Sequence, residues 1–181
     1  SFQNSEGEVN PTVNFGFLGQ ISERKGVKFL LDSFQDDRFK DCNLFLGGEL
    51  QKTNIDFSIE DYNKPNIHFL GKINQLDFFK KIDILIHPSL IEGSAKVIYE
   101  AMAAGVVPVA TTNSGSIIED KKNGLIVKAG DVEDLRKKMI YLLDNYPNKD
   151  FLENMKNTIR NYSWNDYSLR YTRLIEQRIN Q

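Results

Sequence analysis

With Cys42 as its single cysteine, this chain of 181 residues has no internal disulfide and no thiolate cluster for zinc, which suits a reducing compartment. No apolar run approaches the roughly 20 residues that a membrane-spanning helix needs. Residues 1–11 are polar and lack the charged-then-apolar order of a signal peptide. They begin with Ser1 and lead straight into a strand-like run, so the expectation is a piece of a longer cytoplasmic protein. Net charge is only −2 and the lysines and arginines are dispersed, so no basic block could neutralise successive phosphates and nucleic acid is not the expected partner. Gly16 and Gly19 do not form Gly-x-Gly-x-x-Gly, and Gly-x-x-x-x-Gly-Lys-Ser/Thr is missing, which removes the dinucleotide and P-loop fingerprints. The histidines and carboxylates fall into no metal-ligand spacing. Repeats, low-complexity tracts and linkers are also lacking.

What remains is an ordinary globular composition, 40% hydrophobic and 27% charged, at a length that suits one domain over 1–181. Short apolar runs of β-forming type recur at 13–18, 43–46, 67–70, 84–86, 106–110 and 125–127, and each reads as a buried strand. Helical spacing fills 27–34, 75–82, 95–104 and 132–143, and continues through 151–160 and 164–179. Strand and helix alternate, which predicts a doubly wound parallel sheet of about six strands, helices on both faces and a helical C-terminal tail. In such sheets ligands bind beyond the strands' carboxyl ends, where Gly19, Gly47, Gly48, Gly71, Pro88 and Gly93 all fall.

The strongest local feature is the run Ile91-Glu92-Gly93-Ser94-Ala95-Lys96-Val97-Ile98-Tyr99-Glu100-Ala101-Met102-Ala103-Ala104-Gly105, directly after a strand ending at His87-Pro88. Ser94 is placed to cap a helix, Gly93 to let a ligand approach the backbone, and the amides of Ala95, Lys96 and Val97 to stand unpaired in the first turn. Such a mouth attracts phosphate. Helical side chains lean towards the N-terminus, so Glu100 can aim back at that mouth while Glu92 enters from the loop. Two carboxylates are good acceptors for the hydroxyls of a ribose and a sugar. The same spacing equally allows Glu100 to be a surface partner of Lys96 at i,i+4 and Glu92 to be a solvated loop carboxylate.

These residues resemble the donor-binding, C-terminal domain of retaining glycosyltransferases of the GT-B fold, family 4 of that classification. Two glutamates separated by seven residues, then Ala-Met-Ala-x-Gly and the strand Val106-Val107-Pro108-Val109-Ala110-Thr111, carry the likeness. A second match is Phe17-Leu18-Gly19-Gln20-Ile21-Ser22-Glu23-Arg24-Lys25-Gly26-Val27, which is similar to the family's first strand and phosphate loop. Further segments extend it: Phe45-Leu46-Gly47-Gly48, Ile67-His68-Phe69-Leu70-Gly71-Lys72, Ile86-His87-Pro88-Ser89, Asn123-Gly124-Leu125-Ile126-Val127 and Tyr162-Ser163-Trp164-Asn165. Together they cover almost the whole chain.

The resemblance implies a Rossmann-like nucleotide-sugar-binding domain, one half of an enzyme whose N-terminal acceptor domain is absent here and without which transfer should be negligible. The implied activity is retaining hexosyl transfer from a UDP- or GDP-sugar to a hydroxyl of an acceptor glycan or lipid-linked sugar, without metal or cofactor. The implied process is surface polysaccharide or glycoconjugate assembly, by a cytoplasmic enzyme that can work peripherally at the inner face of the membrane. Glu92 is expected at the donor sugar, Glu100 at the ribose hydroxyls, and Lys25 at the diphosphate with a share in stabilising the leaving group. Lys72 would lie near the base. Gly19 and Gln20 belong to the phosphate loop, where the family usually carries Arg in place of Gln20, which weakens the diphosphate clamp and makes Arg24 the candidate substitute. The loop 113–118 is shorter than the family's Gly-Gly-x-Pro-Glu stretch, so no contacts are carried over from it. A noncatalytic nucleotide-binding module of the same fold is the alternative, and an epimerase or phosphorylase of that fold is a third reading. His87 reads as a packed or hydrogen-bonded residue, His68 as structural, and Tyr162, Trp164, Tyr167 and Tyr171 as packing.

Overall fold

In a computed structural model, residues 12–51, 57–146, 149–160 and 162 are described. Six parallel strands form one sheet: β1 (Asn14–Leu18), β2 (Asn43–Gly47), β3 (Ile67–Gly71), β4 (Ile84–His87), β5 (Val107–Thr111) and β6 (Leu125–Val127), in the order β3-β2-β1-β4-β5-β6. Central strands with helices on both sides bury both faces, and so read as continuous apolar runs. β4 and β5 are buried at every position. The chain winds outward from β1 to β3, returns to the other side of β1 as β4, and winds outward again to β6. The direction therefore reverses between β1 and β4, which makes their carboxyl ends the topological switch point.

Among the described residues five α-helices flank the sheet: α1 (Val27–Ser33), α2 (Gln75–Phe79), α3 (Lys96–Ala103), α4 (Val132–Asn145) and α5 (Lys149–Ile159). α1 packs on α4, and α3 packs on α5, β4 and β5. Ser33 Oγ donates to the carbonyls of Phe29 and Val132, tying the start of α4 to the end of α1. Asn74 and Asp131 cap α2 and α4 by accepting from amides of their first turns. The predicted helix at 164–179 lies outside the described residues.

Phe15 packs edge-on against Phe34 and Phe39, whose own rings stack 5.1 Å apart beneath β1 and α1. Cys42 is buried there, and burial pushes its thiol up to about 11, so it behaves as a small apolar residue. His68 is structural as expected: its Nε2 lies 3.2 Å from Asn43 Oδ1 and its ring stacks on Phe45. A polar knot holds the amino ends of the central strands. Asp83 Oδ2 accepts the Asn14 amide at 2.9 Å, and Asp83 Oδ1 accepts the hydroxyl of Tyr146, just past α4, at 3.0 Å. Burial, then the charge of Asp83, pushes that phenol up to about 12.

Candidate functional site

Three loops meet beyond the carboxyl ends of β1, β4 and β5. The first, 19–26, and the second, 88–95, are sewn together by backbone bonds. Leu90 N donates to Arg24 O at 3.0 Å, and the buried Ser89 hydroxyl is shared between Arg24 O and Ile91 O, both at 3.2 Å. Arg24 Nη1 reaches over to Ile91 O at 3.1 Å. Gly26 sits where the loops touch: its φ is 69°, and a Cβ there would lie 2.0 Å from Pro88 O. Only glycine fits both constraints.

The loop after β5 grips the second one from the other side. Thr111 Oγ1 donates to Ser89 O at 2.6 Å, Asn113 Nδ2 to Leu90 O at 2.8 Å, and Glu92 N to Asn113 O at 3.2 Å. Gly115, with φ of 57°, lies so close that a Cβ would stand 2.2 Å from Gly93 O. The loop 113–118 is therefore what fixes the Glu92 backbone.

On this frame charges converge. Lys25 Nζ bonds Glu92 Oε2, and the two side chains are only 15% and 17% exposed, so the pair is better shielded from solvent than a surface ion pair. Arg24 Nη1 lies 3.9 Å and His87 Nε2 3.7 Å from the same oxygen. Burial alone would raise the Glu92 pKa, but the hydrogen bond and charge of Lys25 bring it below the ordinary carboxylate value. His87 goes the other way: burial first, then the neighbouring Lys25 charge, push it down to about 4. Its imidazole is neutral at physiological pH.

Glu100 occupies a second cluster. Its Oε1 takes Lys96 Nζ at 3.0 Å, the surface pairing that the spacing also allowed, and its Oε2 takes Gln75 Nε2 from the first turn of α2. Both oxygens are thus oriented, by α2 and by α3's own first turn.

The helix mouth differs from its sequence reading. Ser94 does not cap α3: Ala95 holds the N-cap position, with no side-chain cap. Nor are the three amides all free, because Ala95 N donates to Ser114 O and Lys96 N to Ser94 O, each at 3.0 Å. The Ala95 amide is taken from outside the local sequence, by the Ser114 carbonyl that the loop after β5 delivers. Among the described residues, the amides of Gly93, Ser94 and Val97 have no acceptor. Gly19 spends its own amide on Gly47 O at 2.9 Å, while Gln20 and Lys72 are exposed on the loops after β1 and β3. Gln75, Ser89, Asn113 and Ser114 took no role in the sequence reading. The polar run Thr111-Thr112-Asn113-Ser114 at the carboxyl end of a buried strand is the signal that marks the last two of these positions.

Parallel order, reversal between β1 and β4 and a charged cluster at that reversal define a Rossmann-like α/β architecture with its site at the switch point. The family model described as Glycosyl transferases group 1 matches residues 2–162, and the chain belongs to that family as a domain of the GT-B type. It is 32% identical over 158 residues to an uncharacterized glycosyltransferase of Methanocaldococcus jannaschii, spanning 83% of this chain and 44% of that protein. It is 31% identical over 147 residues to the capsular polysaccharide biosynthesis glycosyltransferase CapM of Staphylococcus aureus, spanning 75% of this chain and 38% of CapM. The chain thus spans less than half the length of these relatives. Its fold is also that of Anabaena HepE, solved in complex with UDP, with a TM-score of 0.74 at 19% identity over 94% of this chain and 49% of HepE.

Proposed function

We propose that this domain binds a UDP- or GDP-sugar as the donor half of a retaining glycosyltransferase that serves surface polysaccharide or glycoconjugate assembly. The observation that carries the reading is the shielded Lys25–Glu92 pair at the switch point, a cation and an acceptor held side by side where this sheet topology places ligands. Lys25, aided by Arg24 and by the free amides of Gly93, Ser94 and Val97, is the diphosphate grip. Glu92 accepts from the sugar hydroxyls. Glu100, held at both oxygens by Lys96 and Gln75, accepts from the ribose. Gly19, Gln20, Ala95 and Lys72 complete the surround.

In the reaction the bond from the anomeric carbon to the donor diphosphate breaks and a bond to the acceptor oxygen forms on the same face. The acceptor proton passes to the departing diphosphate, and the released negative charge falls on Lys25 and the loop amides, which stabilise it more than they stabilise the ground state. No metal takes part. The acceptor, a glycan or lipid-linked sugar, is held by a further N-terminal domain, in a cytoplasmic enzyme at the inner face of the membrane. CapM, by its name a capsular polysaccharide enzyme, and HepE, solved with UDP, support the process and the ligand class.

Calorimetric titration with UDP-, GDP- and ADP-sugars tests the site and names the donor. Lys25→Ala and Glu100→Gln are expected to weaken binding; unchanged affinity in both would remove the donor site. Donor binding without transfer by the full-length protein would favour a noncatalytic module instead.

A further inference from the structure

His87 ends β4 at the switch point, 2% exposed, with its ring nearly parallel to that of Phe17 at 6.4 Å. Neither Nδ1 nor Nε2 has a hydrogen-bond partner among the described residues. A buried polar group without a partner costs free energy, and such groups in native folds call for an explanation. Packing does not supply one, because a phenyl ring would stack on Phe17 equally well. The polar atom that Nε2 approaches is Glu92 Oε2, at 3.7 Å, less than about 1 Å beyond the length of a good N–H to oxygen bond. That oxygen already holds Lys25.

A donor diphosphate carries more negative charge than one carboxylate and competes for the Lys25 ammonium. When the ammonium moves, Glu92 is left as a half-buried anion whose Oε2 has lost its strongest partner, and a small rotation brings it onto Nε2. We propose that His87 is a positioning residue for Glu92, its Nε2–H taking over the carboxylate as the donor draws Lys25 away. The inference rests on the donor-site reading above. A neutral imidazole suits this role, since a cation would bind Glu92 as tightly as Lys25 does and keep it from the sugar hydroxyls. The groups that face His87 are Lys25, Glu92 and Arg24, and burial with the Lys25 charge holds the ring neutral. Lys25 and His87 thereby exchange one oxygen between the empty and the loaded site.

The test separates the two ring nitrogens. In His87→Gln the side-chain amide reaches the place of Nε2, in His87→Asn it reaches only that of Nδ1, and His87→Phe keeps the stack and removes both. Each variant is titrated with UDP against UDP-glucose and with GDP against GDP-mannose. The Phe and Asn variants should lose about tenfold or more in affinity for the nucleotide sugar, as expected for one hydrogen bond to a charged group. Affinity for the bare nucleotide should stay within about twofold, which also certifies the fold, and the Gln variant should keep most of the sugar-dependent affinity. Equal losses for nucleotide and nucleotide sugar, or wild-type sugar binding by His87→Phe, would overturn the proposal and leave the donor site standing. If the wild type binds none of the four probes, the donor reading falls and the exchange falls with it; where it binds, the underlying coupling is also read on the ligand-free chain by NMR. There Lys25→Met should move the His87 titration up from about 4, and adding Glu92→Gln should reverse the move; a titration that stays put refutes the exchange.

Discussion

Acid should weaken the fold through His87 before most carboxylates titrate. The unfolded chain protonates this imidazole near its ordinary value of 6.5, whereas the native chain holds it neutral down to about 4, because its ring is buried and Lys25 and Arg24 lie close by. Between those values the unfolded state binds a proton that the native state refuses, so stability falls as the pH drops; above 6.5 both states are neutral and the ring contributes no slope. With one pKa unit worth about 1.4 kcal/mol, the loss is about 2 kcal/mol by pH 5 and about 3 kcal/mol by pH 4. His87→Phe keeps the stack on Phe17 and cannot bind the proton. Urea unfolding of both proteins at half-unit steps from pH 7.5 to 4.5 reads the difference, with Glu92 and the remaining carboxylates common to the two series. The gap in unfolding free energy should shift in favour of the variant as the pH falls. Curves that run parallel across this window would show that the fold does not hold His87 neutral, and the account of its burial would be wrong.

Lys25→Ala should weaken UDP or GDP binding by about tenfold to a hundredfold, the range for one charge-assisted bond to a diphosphate, as read by calorimetry. Gly26→Ala places a Cβ against Pro88 O at a positive φ and should cost about 2 kcal/mol, lowering Tm by about 4–8 °C in a scanning measurement. Tyr146→Phe leaves Asp83 Oδ1 without its hydroxyl partner and should cost about 1 kcal/mol, or about 2–4 °C in Tm, with nucleotide affinity unchanged. Excess EDTA should leave the transfer rate of the full-length protein unchanged, because no metal enters the proposed reaction.

The strands were legible because a parallel sheet covered on both faces turns each one into a short apolar run, and all six fall within about two residues of their expected bounds. Helix ends were less so. Phe78 and Ile82 keep helical spacing, yet α2 stops at Phe79, and Ile82 instead packs on β1 at Gly16, where a Cβ would lie 2.6 Å from its Cγ2. Apolar periodicity reports what is buried, whichever element does the burying. The candidate site was legible as a set of residues that could gather and only partly in the bonds that gather them. Lys25 and Glu92 came from two motifs 67 residues apart, and nothing local to either announces that they touch. Ser94 has the chemistry of a cap, yet α3 starts one residue later with Ala95 at the N-cap, and the Ser114 carbonyl, arriving from the loop after β5, takes the Ala95 amide. Gln75 carries no motif at all, and its hold on Glu100 joins positions 25 residues apart in the chain, on two helices.

The seam between the loops 19–26 and 88–95 has a consequence for anyone who wishes to change what this domain accepts. Leu90 N on Arg24 O, the shared hydroxyl of Ser89 and the bare Cα of Gly26 under Pro88 make the two loops a matched pair, cut to one another. A graft that imports one loop from a relative brings its side chains into a backbone made for another partner. Under the proposed function, donor specificity should transplant only in pairs, with both loops taken from the same parent and the clasp at Thr111, Asn113 and Gly115 carried along with them.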